Sequence, residues 1–351
     1  MKKKLIALLA VMIIAGVAGS SAFAARQKQQ PLDVLPLFSS QSTQANRLWV
    51  GTFQLAWNDL MDGVIKGPVL FAGKTPDVVK DLNAQSFKAD QLDESSYYKT
   101  YGETSPELKK TIEAAIKEKF NETSDVLDGA DWTKAKGKYT VYAMLKKDFQ
   151  FVHAFDKLKS EKFGNSKQKV EYFGINSKSN HQLYDNVNVL FYNSPKDFAV
   201  ALATKGDDVV YLYRTNDNKS FDKLYADMKA KQSEYKDFSG FAEKDELKIP
   251  NISLFKLKSF NELCGKRIVG TNIKIEQAVE SVDFKMNNEG VKLKSEALIM
   301  TKVMSLAPQA LKPRKLYFND TFVIFLQEAD KEQPYFALRV NDVASINKLK
   351  K

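Results

Sequence analysis

Residues 278–297 read AVESVDFKMNNEGVKLKSEA, and this stretch says more about the fold than any other part of the 351-residue chain. Successive side chains of a strand point to opposite faces of a sheet, so strict alternation after Gly290 predicts an extended segment with one buried face. Such a segment can enter a sheet or belong to it permanently. The predicted inward face carries Val291, Leu293, Ser295 and Ala297, and the outward face carries Lys292, Lys294 and Glu296.

Toward the N-terminus, the periodicity of the chain is helical up to about residue 136 and strand-like from about residue 137. Apolar residues at helical spacing predict a first helix over 48–61, and Pro76 and Pro106 each follow a capping residue and mark two further helix starts. Helices followed by strands predict an α+β fold, in which N-terminal helices accompany a mostly antiparallel, multi-sheet β-core. The predicted strands cover residues 139–145, 187–192, 198–203 and 209–213.

The first residues have the pattern of a bacterial secretory signal. Three lysines precede the apolar run 5–17, and Ala22 and Ala24 fit a peptidase site, which predicts a signal peptide over 1–24. Cleavage there would leave an exported protein, secreted or periplasmic, without a membrane span. Residues 25–44 are rich in Gln, Ser and Pro and predict a linker. We expect a single domain over 45–351, with a helix-rich part (45–136) and a strand-rich part (137–351).

The composition excludes several functional classes. One cysteine, Cys264, and two histidines, His153 and His181, leave little material for zinc chemistry, a disulfide framework or a catalytic triad. Residues 67–75 resemble a phosphate-binding loop but have one residue too many between their glycines. The net charge is +10, yet Lys and Glu are interspersed, which does not favour nucleic-acid binding. We therefore expect no enzymatic activity, no cofactor and no metal site.

The stretch around Gly290 resembles the hinge of a serpin, where a strand ending in a valine, asparagine, glutamate and glycine pattern leads into an exposed reactive loop. The resemblance covers about residues 137–342. It implies that the chain returns from the loop into a C-terminal β-hairpin. The other matching segments, in the order of the family, are Tyr139 to Asp156, Val187 to Tyr213, Lys248 to Leu254, Phe318 to Leu326 and Tyr335 to Val340.

The resemblance implies a trap for proteases, in which the cleaved loop inserts into a sheet and drags the acyl-enzyme with it. The hinge would consist of Glu289, Gly290, Val291, Leu293, Ser295 and Ala297. Counting from the two ends of the loop leaves two candidate scissile regions, Met304-Ser305 and Ala310-Leu311, which fit elastase- or chymotrypsin-like proteases. Lys302 or Arg314 would instead indicate a trypsin-like target.

Two departures from the family pattern decide the functional expectation. The hinge is poor in alanine, and residues 45–100 lack the family's Phe-Ser-Pro-x-Ser segment. We expect a serpin-fold protein that does not inhibit proteases and acts as a binding or structural module. The alternative is a suicide inhibitor of serine or cysteine proteases that acts through a loop at about 290–315. The partner would be a protease or another envelope or extracellular protein.

Overall fold

The computed structural model describes residues 32–166, 168–292 and 312–349. Three of the five α-helices in these ranges lie before residue 121. No helix in the described ranges is long and apolar enough to cross a bilayer. The helices are α1 (Thr52–Asp59), a π-helical turn (Leu60–Ile65), α2 (Asp77–Asn83), α3 (Pro106–Phe120), α4 (Phe221–Glu234) and α5 (Val343–Ile346).

The longest helix, α3, begins where its capping residue predicts. The Ser105 hydroxyl accepts a hydrogen bond from the Leu108 N–H at 3.1 Å, and Pro106 occupies the first turn, where no N–H is needed. Asn121 ends the helix with φ of 52°, a left-handed conformation that asparagine tolerates. The buried stripe of α3 consists of Ile112, Ile116 and Phe120.

From residue 139 onward strands outnumber helices in the described chain, and all four predicted strand segments are confirmed. The strands are β1 (Asp33–Leu35), β2 (Arg47–Val50), β3 (Tyr97–Glu103), β4 (Tyr139–Leu145), β5 (Phe149–Gln150), β6 (Asp156–Lys162), β7 (Lys169–Ile175), β8 (Val187–Ser194), β9 (Asp197–Leu202), β10 (Asp208–Arg214), β11 (Glu246–Pro250), β12 (Ile252–Ser259), β13 (Val279–Met286), β14 (Gly290–Val291), β15 (Lys315–Tyr317), β16 (Phe322–Glu328) and β17 (Phe336–Val340).

These strands form four sheets, and the predicted α+β class with mostly antiparallel pairing is confirmed. The largest sheet has the order β1-β2-β17-β16-β10-β9-β8, and the predicted C-terminal hairpin, β16 and β17, lies inside it. The other sheets have the orders β15-β11-β7-β6, β12-β13-β14-β5 and β3-β4. Of the strand pairs in the described part of the chain, only β1 with β2 and β11 with β15 are parallel.

Two expectations for the N-terminal part are wrong. Leu48 and Trp49 belong to strand β2, not to a helix, because β2 lies between β1 and β17 and is buried on both faces. A strand buried on both faces has no alternation, and its apolar run mimics a helical stripe. The linker prediction fails for residues 32–44, since β1 pairs with β2 and Val34 and Leu35 are buried.

Candidate functional site

The described part of the predicted hinge forms a short strand between two others. In β14, Val291 lies opposite Met286 of β13 on one side and opposite Phe149 of β5 on the other. The Lys292 N–H donates to the Lys285 carbonyl at 3.2 Å, which continues the pairing with β13 by one residue. The chain therefore enters the space between β13 and β5 as soon as the turn after β13 ends.

Gly290 is required by the close approach of β5. A Cβ atom at this position would lie 2.1 Å from the Phe149 carbonyl oxygen and 2.7 Å from the Gln150 Cα, and neither backbone atom can move aside cheaply. No other residue fits between β14 and β5 without separating them. The glycine that the sequence pattern placed in the hinge thus has a packing reason in this chain.

We expect Gly290→Ala to lower the free energy of unfolding by about 1–3 kcal/mol, the usual cost of forcing atoms into a well-packed site. Urea unfolding measures the difference. Glu289→Ala is the matched control, because the Glu289 side chain is exposed and its loss should cost less than about 0.5 kcal/mol. Equal stability of the two variants would contradict the close packing of β14 against β5.

The remaining predicted site residues have different outcomes. Arg314 is not available as bait for a protease, because its guanidinium is buried and pairs with Asp245 at 2.6 Å. That part of the sequence prediction is wrong. The predicted residues that lie outside the described ranges are Leu293, Ser295, Ala297, Lys302, Met304, Ser305, Ala310 and Leu311.

A groove of about 1210 Å³ begins beside β14 and runs between β4 and β13. Lys292 and Asp148 line it near β14, and both β4 and β13 line its length. Among the described residues no strand pairing joins β4 to β13. The edge of β4 that faces the groove therefore makes no hydrogen-bonded ladder with the facing edge of β13. Helix α1 contributes Phe53 and Trp57 to the lining. Unpaired strand edges on both sides of a groove can accept a further strand.

A buried ion-pair network fixes the chain between β4 and β5. The Lys147 ammonium pairs with Asp208 at 2.9 Å and also with Glu328, and its side chain is 5% exposed. The Tyr335 hydroxyl donates to Asp208 at 2.8 Å. Burial raises the pKa of Asp208, and Lys147 opposes that rise. Because these partners belong to the large sheet or its hairpin, the end of β4 next to β14 is held in place.

Glu280 is a groove residue that the sequence analysis did not single out. Its carboxyl group is buried, and one oxygen accepts a hydrogen bond from the Thr52 hydroxyl at 2.6 Å. The other oxygen, Oε2, has no hydrogen-bond partner within the part of the chain that the structure describes. Burial raises the pKa of Glu280 to about 8, while the hydrogen bonds from Thr52 and Phe53 lower it in part. The sequence contained a sign of this burial, because Glu280 alternates with the inward residues Val282 and Phe284 of β13.

Comparisons with known proteins address the fold. No model of a protein family matches the sequence, and no curated protein matches it either. The structure of human thyroxine-binding globulin with thyroxine is similar over 86% of this chain and 93% of its own, with 9% identity and a TM-score of 0.51. A highly specific serpin of the insect Tenebrio molitor aligns over 84% of this chain and 91% of its own, with 12% identity and a TM-score of 0.47. Thyroxine-binding globulin is itself a serpin-family member, and the likeness to its structure shows that this protein has a serpin-like fold.

Proposed function

We propose that the groove between β4 and β13 accepts the segment after Val291 as an inserted strand, and that the protein is a serpin-type suicide inhibitor of a serine or cysteine protease. One observation carries the proposal. β14 already lies between β13 and β5, and the groove continues from it in the direction that a longer strand would take. Insertion would then lengthen the existing pairing of β14 with β13 and β5, so no new strand pairing would have to start elsewhere.

The pairing register of β14 with β13 predicts which residues of β13 would lie opposite the inserted strand. Val291 lies opposite Met286, so continued antiparallel pairing brings residue 295 opposite Val282 and residue 297 opposite Glu280. Directly opposed residues of an antiparallel pair share a face. Because Val282 is buried, the side chains at 295 and 297 would enter the core.

The pairing register of β14 with β5, continued along β4, predicts the same orientation of the inserted strand. Val291 lies opposite Phe149, so continued pairing brings residue 295 opposite Leu145 and residue 297 opposite Ala143. Leu145 and Ala143 pack against the main hydrophobic core. The same residues of the inserted strand would thus face the core on both sides, as a single strand requires.

The sequence of the loop alternates as an inserted strand with one buried face requires. Every second residue from 291 to 307 is uncharged, whereas the intervening positions carry four charges. A charged side chain on the inward face would be costly to bury, so the pattern favours insertion. In this register β13 begins opposite residue 298 and β4 begins opposite residue 301, so the inward residues within the groove would be Val291, Leu293, Ser295, Ala297, Ile299 and Thr301.

The chemistry of the trap follows from this movement. The protease nucleophile attacks the carbonyl carbon of the bait residue, the peptide bond breaks, and the new amino terminus leaves while the acyl ester (a thioester in a cysteine protease) remains. Insertion of the freed segment then pulls the ester away from its attacking geometry, so hydrolysis becomes slow. The bait would lie at Met304-Ser305 or at Ala310-Leu311.

The test is incubation of the mature protein with elastase-, chymotrypsin- and trypsin-like proteases. We expect an SDS-resistant complex of the summed masses with at least one protease and a cleaved loop in the same gel. A protease whose catalytic serine is replaced serves as the control and should form no such complex. Cleavage by every protease without any resistant complex would contradict inhibition.

A second candidate function is a binding module without inhibition, and Glu280 favours it. An inserted strand would cover a carboxyl group that already lacks one partner, which opposes insertion. Thyroxine-binding globulin, the protein of similar fold described above, is complexed with thyroxine in its structure, so in that protein the fold carries a ligand. In this case the partner would be an envelope or extracellular molecule, since the predicted signal peptide over 1–24 would export the chain.

A further inference from the structure

A small pocket lies at the edge strand β12, outside the groove. Its volume is about 320 Å³. The end of β12 forms one side, and the start of β1 with the turn that follows it forms the other. The lining residues that bear on its chemistry are Asp33, Gln44, Lys256, Lys258, Ser259 and Asn261.

Lys256 is the unusual group of this pocket. Its side chain points to the inner side of β12 with Ile252 and Leu254, and it is only 5% exposed. Within the described residues its ammonium group forms no hydrogen bond and no ion pair, unlike the neighbouring Lys258. Lysines with so little exposure are nearly always paired, because a charge held largely away from water without a partner is costly.

Asp33, the only carboxylate among the described residues that line the pocket, is already engaged. Asp33 accepts hydrogen bonds from Lys258 through one oxygen at 3.2 Å and from the Ser42 hydroxyl through the other at 2.8 Å. Lys258 lowers the pKa of Lys256 and Asp33 raises it, but burial has the largest effect and brings it to about 8. At neutral pH the described lining residues therefore carry two positive charges and one negative charge, which leaves one positive charge uncompensated.

We propose that this pocket binds a small oxyanion, with a carboxylate group as the simplest case, on the ammonium group of Lys256. A single negative charge would cancel the uncompensated charge and give Lys256 the hydrogen-bonded partner that it lacks. The hydroxyl of Ser259 and the amides of Gln44 and Asn261 are the further donors that line the pocket. The binding is independent of strand insertion, because β12 is separated from the groove by β13.

The first test measures the reactivity of Lys256 in the unmodified protein. Competitive labelling with a trace acylating reagent, read by mass spectrometry, reports the fraction of each lysine that is neutral. Chloride is replaced by acetate or by inorganic phosphate at constant ionic strength and pH 8. A bound anion should raise the pKa of Lys256 by about one unit and slow its labelling about fivefold. The exposed Lys110 on α3 is the internal reference and should not change.

The second test uses Lys256→Met, which keeps most of the side-chain volume and removes the charge. This variant should fold, because it removes an uncompensated buried charge. Acetate or phosphate should raise the melting midpoint of the wild-type protein and of Lys110→Met, and the rise should be lost in Lys256→Met. The stronger of the two anions identifies the preferred oxyanion. An equal rise in all three proteins, or labelling of Lys256 that no anion changes, would overturn the proposal.

Discussion

Cleavage of one bond between Met304 and Leu311 should raise the melting midpoint of the purified protein by about 10 °C or more. Insertion would bury apolar side chains such as Leu293 and Ile299, and each is worth about 1.5–3 kcal/mol when fully buried. It would also pair the two open strand edges of the groove. For a chain of this size each kcal/mol shifts the midpoint by about 1.5 °C, so a rise of about 10 °C corresponds to a gain of several kcal/mol.

Two variants separate insertion from any other effect of cleavage. Ser295→Lys places a charge on the inward face, between Val282 and Leu145, and should abolish the stabilisation. Leu298→Lys adds the same charge on the outward face and should keep it. Differential scanning calorimetry before and after cleavage gives two midpoints for each variant and for the wild-type protein. The proposed insertion is wrong if the midpoint fails to rise in the wild-type protein, or if Ser295→Lys rises as much as Leu298→Lys.

The parts of this site that could be predicted from sequence depend on local patterns. Alternation after Gly290 and the capping residues of α3 act over a few residues, so they can be read directly from the chain. The same local reading failed at β2, because burial on both faces removes the alternation that marks a strand.

The groove itself could not be predicted, because it depends on two strands that do not pair with each other. β4 and β13 are more than 130 residues apart in the chain, and only the fold places them side by side. Likewise, the hydrogen bond between Thr52 and Glu280 joins residues 228 positions apart. The pocket around Lys256 could not be predicted for a related reason: Leu32, Asp33 and Gln44 line it, and Leu32 and Asp33 lie in a stretch that the sequence assigned to a linker.

Glu280 should make the stability of the protein fall as the pH rises from about 5 to about 8.5. Its pKa is raised from the ordinary value of 4.5 to about 8 in the folded state, so the folded protein holds a proton that the unfolded chain releases. The stabilisation is complete below the unfolded pKa and is lost as the pH passes through the folded pKa. We expect a loss of roughly 2–4 kcal/mol across this interval.

Glu280→Gln should remove that pH dependence, because the amide stays neutral and still accepts the hydrogen bond from Thr52. Urea unfolding at pH 5 and pH 8.5 gives the difference for each protein, and the exposed Glu276→Gln is the control for the loss of one carboxylate. Residue 297 would cover Glu280 after insertion, so the cleaved wild-type protein should depend on pH more steeply than the intact one. Identical pH dependence in wild type and Glu280→Gln would show that the carboxyl group is solvated, and the groove would then be open to water at the point where insertion needs it closed.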